Sequence, residues 1–276
     1  MAQREALSQV RISVRNLVEF VMRSGDLDDR RMAGAKKEAM QAGSRLHRKI
    51  QRRMGSDYQA EVSLKHTVKE DSFELLIEGR ADGIITEPGG VTIDEIKCIY
   101  MDPGRLEEPD PVHMAQALCY GTIYAVHHDL EEIGIQLTYC NIETEEIRRF
   151  KEVKTREELE DWFKGLIHEY VKWARYLYHH RMRRQECLKT LQFPYAYREG
   201  QKELAACVYR SVAEGRNLYI QAPTGVGKTL STVFPSLKAM GEGYGEKLFY
   251  LTARTITRSV AEEAFDILRG EKGLYF

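Results

Sequence analysis

The segment that most restricts this chain is Gln221-Ala-Pro-Thr-Gly-Val-Gly-Lys-Thr229. A short apolar run, Asn217-Leu-Tyr-Ile220, precedes it, and a helix-like run from Leu230 to Met240 follows. Strand, Gly-containing loop and helix in that order is the setting in which a loop holds phosphate. Backbone N–H groups from Thr224 and Gly225 through Val226, Gly227, Lys228 and Thr229 can curl round a triphosphate. The helix N-terminus behind them adds partial positive charge. Lys228 can reach the β- and γ-phosphates, and the Thr229 hydroxyl can sit on Mg²⁺. ATP is therefore the expected ligand. The strict pattern asks for Gly where Ala222 stands. A Gly-rich turn that merely carries a lysine is the alternative, and the flanking strand and helix argue against it.

The 276 residues suffice for one large or two ordinary domains. A formal net charge of −1 gives no nucleic-acid signature, so a DNA site has to come from local patches. Arg45 to Arg53 and Arg181 to Arg184 are such patches, each readable as a solvated helix face or as a DNA contact. No apolar run is long enough to span a bilayer, and the N-terminus lacks the apolar core of a signal peptide. Cys98, Cys119, Cys140, Cys187 and Cys207 are widely spaced with no CxxC pair, which argues against zinc ribbons and disulfide frameworks. Reduced thiols in a cytoplasmic protein are the simplest reading.

Local patterns predict a strand over Val10 to Ser13, then a helix from Val14 to Arg23 capped by Ser13 and stopped at Gly25. An acidic loop, Asp26 to Asp29, leads to a second helix from Arg30 to about Met54, thinned near Gly43. Strands are predicted over Tyr58 to Val68, Phe73 to Ile77, Gly79 to Thr86 and Val91 to Lys97, the last two joined by the turn Glu87-Pro-Gly-Gly90. A helix over Val112 to His127 and strands over Gly134 to Asn141 and Glu146 to Val153 follow. Thr155-Arg-Glu-Glu158 is a capping box opening a long helix to about Arg184. A new unit begins near Phe193-Pro-Tyr195, giving domains 1–188 and 189–276.

In a strand, residues two apart share a face, so Glu95 and Lys97 point one way and Asp94 the other. Across the predicted hairpin, Asp82 can meet Glu95 side by side. Two carboxylates facing one small space repel unless a hard cation sits between them. Such a cation, Mg²⁺ or Mn²⁺, would stabilise charge on a phosphate and lower the pKa of a bound water. Lys97 could serve that water and help neutralise the developing charge. A surface salt bridge is the ordinary reading of an isolated Glu-x-Lys. Asp94 is expected to make a salt bridge or turn contact on the far side.

Residues 10 to 185 resemble the PD-(D/E)XK nuclease superfamily, and within it the RecB-like exonuclease branch. The landmarks run in order: His47, Asp82, Glu95 with Lys97, and Gln116-Ala-Leu-Cys-Tyr120. Gln116 and Tyr120 lie one helical turn apart. The resemblance implies that Asp82, Glu95 and the backbone carbonyl of Ile96 hold the metal, that His47 completes the shell, and that Lys97 serves the water. Gln116 and Tyr120 would line the site or touch DNA. His47 could instead be a partly buried helix histidine. Glu61 could be a further acidic member or a surface residue. No cysteine precedes Cys98 and no late Cys cluster occurs, so no iron–sulfur centre is expected.

Ala-Pro-Thr-Gly-x-Gly-Lys-Thr resembles the nucleotide loop of superfamily 2 helicases. Gln201, behind the aromatics of Phe193-Pro-Tyr-Ala-Tyr197, resembles their adenine-reading Q-motif. Lys247 to Thr252 reads as a parallel strand and Thr252-Ala-Arg-Thr255 as motif Ia. The whole resembles DinG/XPD-like helicases with a fused N-terminal nuclease. That resemblance implies an α/β chain, with a restriction-endonuclease-like α/β/α nuclease fold followed by the first part of a RecA-like P-loop domain. It implies an ATP-dependent DNA helicase and metal-dependent exonuclease in DNA repair or processing, acting on DNA that is single-stranded or has single-stranded ends. No Asp-Glu-x-His box follows Thr229, so the chain reads as truncated after motif Ia and deficient in hydrolysis by itself. A DNA-binding module with an inert nuclease fold, or a different P-loop NTPase such as a clamp or packaging motor, are the competing readings.

Overall fold

The computed structural model describes residues 8–25, 35–223, 225–253, 255–270 and 275–276, with no account of the side chains of 35–40 or 255–257. The acidic loop Asp26 to Asp29, Thr224 and Arg254 of the motif Ia segment lie outside the described residues. Two compact units, 1–175 and 176–276, divide the chain. The division falls inside a long helix, α4 (Arg156–Lys189), rather than after it. The reason is at that helix's end: Leu188 is fully buried with Leu191, Val233, Leu237, Met240 and Leu268 in the core of the second unit.

The first unit is a mixed six-stranded sheet with helices on both faces. Its strands are β1 (Ser8–Ser13), β2 (Tyr58–Lys69), β3 (Phe73–Glu87), β4 (Gly90–Ile99), β5 (Glu132–Asn141) and β6 (Ile147–Thr155). The predicted breaks on either side of Glu78 do not exist. β3 is one 15-residue strand, because β2 pairs with it antiparallel along nearly its whole length, from Tyr58↔Ile85 to Lys69↔Glu74. Its other edge is shared. β1 runs parallel to residues 73–78, and β4 returns antiparallel to residues 83–87 through the predicted turn. Between those two partners β3 is left without a ladder neighbour over Gly79-Arg80-Ala81-Asp82. β4 continues in parallel with β5, from Thr92↔Gly134 to Ile99↔Asn141, and β6 closes the far edge antiparallel to β5.

Helix α1 (Val14–Val21) starts where expected, with Ser13 Oγ accepting from the Asn16 N–H at 3.1 Å. It ends before Gly25, capped at Met22, and buries Val14, Leu17 and Val18. Helix α2 (Ala35–Arg53) is continuous through Gly43. The Gly43 carbonyl accepts from the Cys98 thiol at 3.5 Å. Leu46 and Ile50 of α2 pack on Ile96 and Cys140, so α2 covers the face opposite Glu95 and Lys97. Helix α3 (Pro111–His128), capped by Asp110, makes the β4-to-β5 crossover on the Lys97 face. The capping box of α4 forms as read: Glu158 accepts from the Thr155 N–H at 2.8 Å, and Thr155 Oγ1 from the Glu158 N–H at 3.3 Å.

The second unit holds α5 (Gln201–Ala213), α6 (Lys228–Gly241) and α7 (Thr255–Arg269). The expected strands at Asn217 to Ile220 and Lys247 to Thr252 are not formed among the described residues. Tyr219 is 94% exposed and Leu251 90%. A buried parallel strand depends on ladder partners at its edges, and these apolar runs have none in the described residues. Among the described residues the second unit therefore holds no RecA-like sheet.

Candidate active site

The site occupies the interruption on the edge of β3. The β3–β4 ladder stops at Gly83↔Asp94, one step before Asp82 and Glu95 would pair. There the Asp82 carboxylate replaces a strand carbonyl: its Oδ2 accepts from the Ile96 N–H at 2.8 Å. The expected side-by-side pair is thus in register, but the strands have parted around it, and the opening holds both carboxylates.

Each group has a defined support. His47 comes from α2 and stands with Nε2 3.1 Å from Asp82 Oδ2. Hydrogen bonding to Asp82 raises the His47 pKa from its ordinary value, against the opposing effect of burial. Gln51, one helical turn beyond His47, donates to the Asp82 backbone carbonyl at 2.9 Å. Glu95 is only 1% exposed. Its Oε1 accepts from Lys97 Nζ at 2.8 Å, while its Oε2 is buried with no hydrogen-bond partner. Burial first, and the Asp82 charge second, push the Glu95 carboxyl up to about 7, with Lys97 acting in the opposite direction. Lys97 Nζ also donates to Gln116 Oε1 at 2.9 Å, so α3 fixes the ammonium from the side away from Glu95.

Tyr120 is buried against the backbone of β3. A Cβ on Gly79 would lie 2.6 Å from its hydroxyl oxygen, so glycine is what lets the ring close over the strand. Its hydroxyl is hydrogen-bonded to Gln116, and burial raises its pKa. Ser13, Arg15, His47, Arg48, Asp82 and Tyr100 are among the residues lining a cleft of about 910 Å³ in front of these groups. Gln116 and Tyr120 line it too. The structure therefore brings together His47, Asp82, Glu95, Ile96, Lys97, Gln116 and Tyr120.

Asp94 departs from expectation. Among the described residues it makes no salt bridge, and it is fully buried, its Oδ1 accepting from Thr138 Oγ1 at 2.6 Å and Gln136 Nε2 at 2.9 Å. Burial raises its pKa while those two bonds oppose the shift. The residues that sequence reasoning missed are Gln51 and Arg80. Gln51 carries a readable signal, its helical spacing from His47. Arg80, whose Nε lies 2.5 Å from Glu61 Oε2, carries none. Of the basic patches, Lys49 and Arg53 pair with Glu145, and Arg181 and Arg184 each lie 3.0 Å from Glu246.

The glycine loop of the second unit is described on either side of Thr224. Gly225 and Gly227 have φ of +87° and +72°, values that favour glycine, and Gly227 leads straight into α6. Its side chains are turned onto the loop itself. Lys228 Nζ donates to the carbonyls of Ala222 at 2.9 Å and Pro223 at 2.6 Å. Gln201 is buried, accepting from the Arg198 N–H at 2.9 Å and donating to the Val226 carbonyl at 2.9 Å. Arg198 donates to the Gly225 carbonyl at 2.6 Å. Thr229 lies in the first turn of α6. Among the described residues no helix is long and apolar enough to cross a membrane.

No family model matches the chain. A stretch of 47 residues is 47% identical to a probable ATP-dependent helicase of Methanocaldococcus jannaschii, covering 17% of this chain and 7% of that protein. The matched part thus spans a small fraction of that relative. Among solved structures, that of SSO0001 is similar over 60% of this chain and 78% of its own, at 19% identity and a TM-score of 0.37. An alkaline exonuclease from Laribacter hongkongensis is similar over 61% of this chain and 92% of its own, at 14% identity and a TM-score of 0.33.

Proposed function

We propose that the first unit is a metal-dependent DNA nuclease and that the second is the nucleotide-binding part of an ATP-dependent helicase, the two serving DNA repair or processing. The observation that carries the nuclease reading is the buried Glu95 carboxylate. One oxygen is bound by Lys97 and the other has no partner, and the Asp82 carboxylate faces the same opening. A buried unpartnered anionic oxygen is costly, and a hard divalent cation is the partner that fits an all-oxygen set flanked by an imidazole. Asp82, Glu95 and the Ile96 carbonyl would hold Mg²⁺ or Mn²⁺, with His47 beside them. When bound, such an ion supplies charge neutralisation to a phosphate and an acidified water.

The chain's own residues supply the rest. Lys97, clamped between Glu95 and Gln116, presents an ammonium at a fixed place where it can move a proton and offset charge on a scissile phosphate. Gln116 is the positioning residue for Lys97. The exposed ring of Tyr100 at the cleft offers a face on which an unpaired base can stack, which supports DNA that is single-stranded or has single-stranded ends as substrate. For the second unit, the glycine backbone at the start of α6 and the nearby lysine support ATP with Mg²⁺ at Thr229, Gln201 reading the base. The helicase-like stretch supports a motor on the whole protein.

The test is cleavage of end-labelled single-stranded DNA in Mn²⁺ by the chain, by Lys97→Ala and by Glu95→Ala. Cleavage by the parent that chelator and both substitutions abolish is expected. Equal inactivity of all three, with DNA binding unchanged in chelator, would leave an inert nuclease fold used only for binding DNA.

A further inference from the structure

Tyr139 joins the strand that carries Lys97 to the helix that steadies it. On β5 it is the register partner of Lys97 on β4, so the two side chains stand next to each other on the α3 face of the sheet. The Tyr139 residue is 2% exposed, its ring edge-on to Phe150 of β6. Its hydroxyl meets the start of α3 twice. It accepts from the Asp110 N–H at 3.0 Å, and it lies 3.0 Å from His113 Nδ1. Asp110 is the residue that caps α3, its carboxylate accepting from the Val112 and His113 N–H groups. One turn beyond His113 on the same helix face, Gln116 accepts from Lys97 Nζ. A closed frame results, running from Lys97 across the strands to Tyr139, up to His113, along α3 to Gln116 and back to Lys97.

The frame also fixes the histidine's tautomer. A phenol has one proton to give. The Tyr139 oxygen already accepts from Asp110, and among the described residues His113 Nδ1 is the one acceptor bonded to it. Nδ1 therefore accepts, and the neutral ring carries its proton on Nε2. Burial first and the Lys97 charge second lower the His113 pKa, with Arg15 acting the same way and Asp110 and Glu19 against it. Resting on the nuclease reading above, we propose that Tyr139 and His113 are positioning residues for Lys97: they hold the first turn of α3 on β5, so that Gln116 keeps the ammonium where the scissile phosphate comes. A lysine needs such a frame because its four-carbon stem is flexible, and a misplacement of about 1 Å can cost about 10²-fold in rate. Neither Tyr139 nor His113 is among the residues lining the cleft, so their effect has to pass through Gln116 and Lys97.

The experiment reads the frame with and without metal. In the ion-free chain labelled with nitrogen-15 histidine, His113 (assigned by its loss in His113→Asn) should give the imidazole signals of a neutral ring protonated on Nε2 near neutral pH, and Tyr139→Phe should remove that preference. In single-turnover cleavage of end-labelled DNA with Mn²⁺, Tyr139→Phe and His113→Leu should lower the rate at saturating DNA about tenfold. The DNA concentration giving half that rate should stay unchanged. Tyr139→Phe keeps the buried ring and removes only the hydroxyl. His113→Asn, whose Oδ1 can accept from Tyr139, should restore most of the rate lost in His113→Leu. In a Gln116→Ala background Tyr139→Phe should have no further effect, since its action passes through Gln116. Protonation of His113 on Nδ1, parent-rate cleavage by Tyr139→Phe, equal rates in His113→Leu and His113→Asn, or a full tenfold loss added to that of Gln116→Ala would each overturn the frame and leave the nuclease reading standing. A parent that cuts no DNA in Mn²⁺ overturns both together.

Discussion

The opening in the sheet and the glycine loop, the two regions proposed to meet phosphate, satisfy their polar groups in different ways. In the opening, side chains from four elements hold one another: α2 supplies His47 and Gln51, α3 supplies Gln116, β3 supplies Asp82, and β4 supplies Glu95 and Lys97. One oxygen of Glu95 is nevertheless left without a partner. In the loop, the cation and the amide are spent on the loop's own carbonyls, and the apolar run Leu218 to Ile220 before it is exposed. The first region is preorganised with a deficit that a ligand can fill. The second has to break its own hydrogen bonds before a nucleotide can use them, which lowers affinity by the fraction of time the loop is open.

The largest expected effect separates the two regions most sharply. Lys97→Ala should lower Mn²⁺-dependent cleavage about 10²- to 10⁴-fold, the usual range for a group that moves a proton, and leave ATP binding unchanged. Gel-based single-turnover rates beside nucleotide titrations would read both. The reverse substitution, Lys228→Ala, should weaken Mg·ATP binding about 10- to 100-fold, the loss of a charge-assisted hydrogen bond, with cleavage unaffected. Parallel loss of both activities in either variant would break the comparison.

Much of the first unit can be read along the chain because its signals are local. The Ser13 cap, the Glu87-to-Gly90 turn and the Thr155–Glu158 box are each a few residues long and form as spaced. The order His47, Asp82, Glu95, Lys97, Gln116 was read through the resemblance to a nuclease family, since an isolated Glu-x-Lys reads as a surface salt bridge. What was not legible depends on partners distant in sequence. β3 looks broken at Gly79, but β2 runs the full length beside it, and the glycine answers to Tyr120 on α3. Asp94 looks like a surface charge, but Gln136 and Thr138 arrive from β5 to bury it. Apolarity at Leu218 to Ile220 and Leu248 to Leu251 proposed strands, while pairing decides whether strands exist.

Smaller effects sharpen the contrast by asking how rigid the first unit is. Gly79→Ala should cost about 1–3 kcal/mol in its unfolding free energy through overpacking against Tyr120, and displace Gln116 and Lys97 with it. Denaturant melts with a parallel cleavage assay would detect this. An unchanged midpoint would mean that Tyr120 yields easily and the support is soft. The smallest effect is on pH. Burial, with the neighbouring His127 charge adding to it, lowers the His66 pKa below its ordinary 6.5. A depressed histidine stabilises the fold above its unfolded pKa, and that contribution is lost as pH falls through the folded value. Stability should therefore decline on acidification below about pH 6.5, and His66→Gln should flatten that decline in melts between pH 5 and pH 8.

The most direct measurement is diffraction from crystals of the chain soaked in Mn²⁺, with anomalous maps recorded at a wavelength where manganese scatters strongly. The account predicts an anomalous peak in the break between β1 and β4, coordinated by Asp82, by the free oxygen of Glu95 and by the Ile96 carbonyl. A well-ordered Asp82 and Glu95 with no peak between them would contradict it.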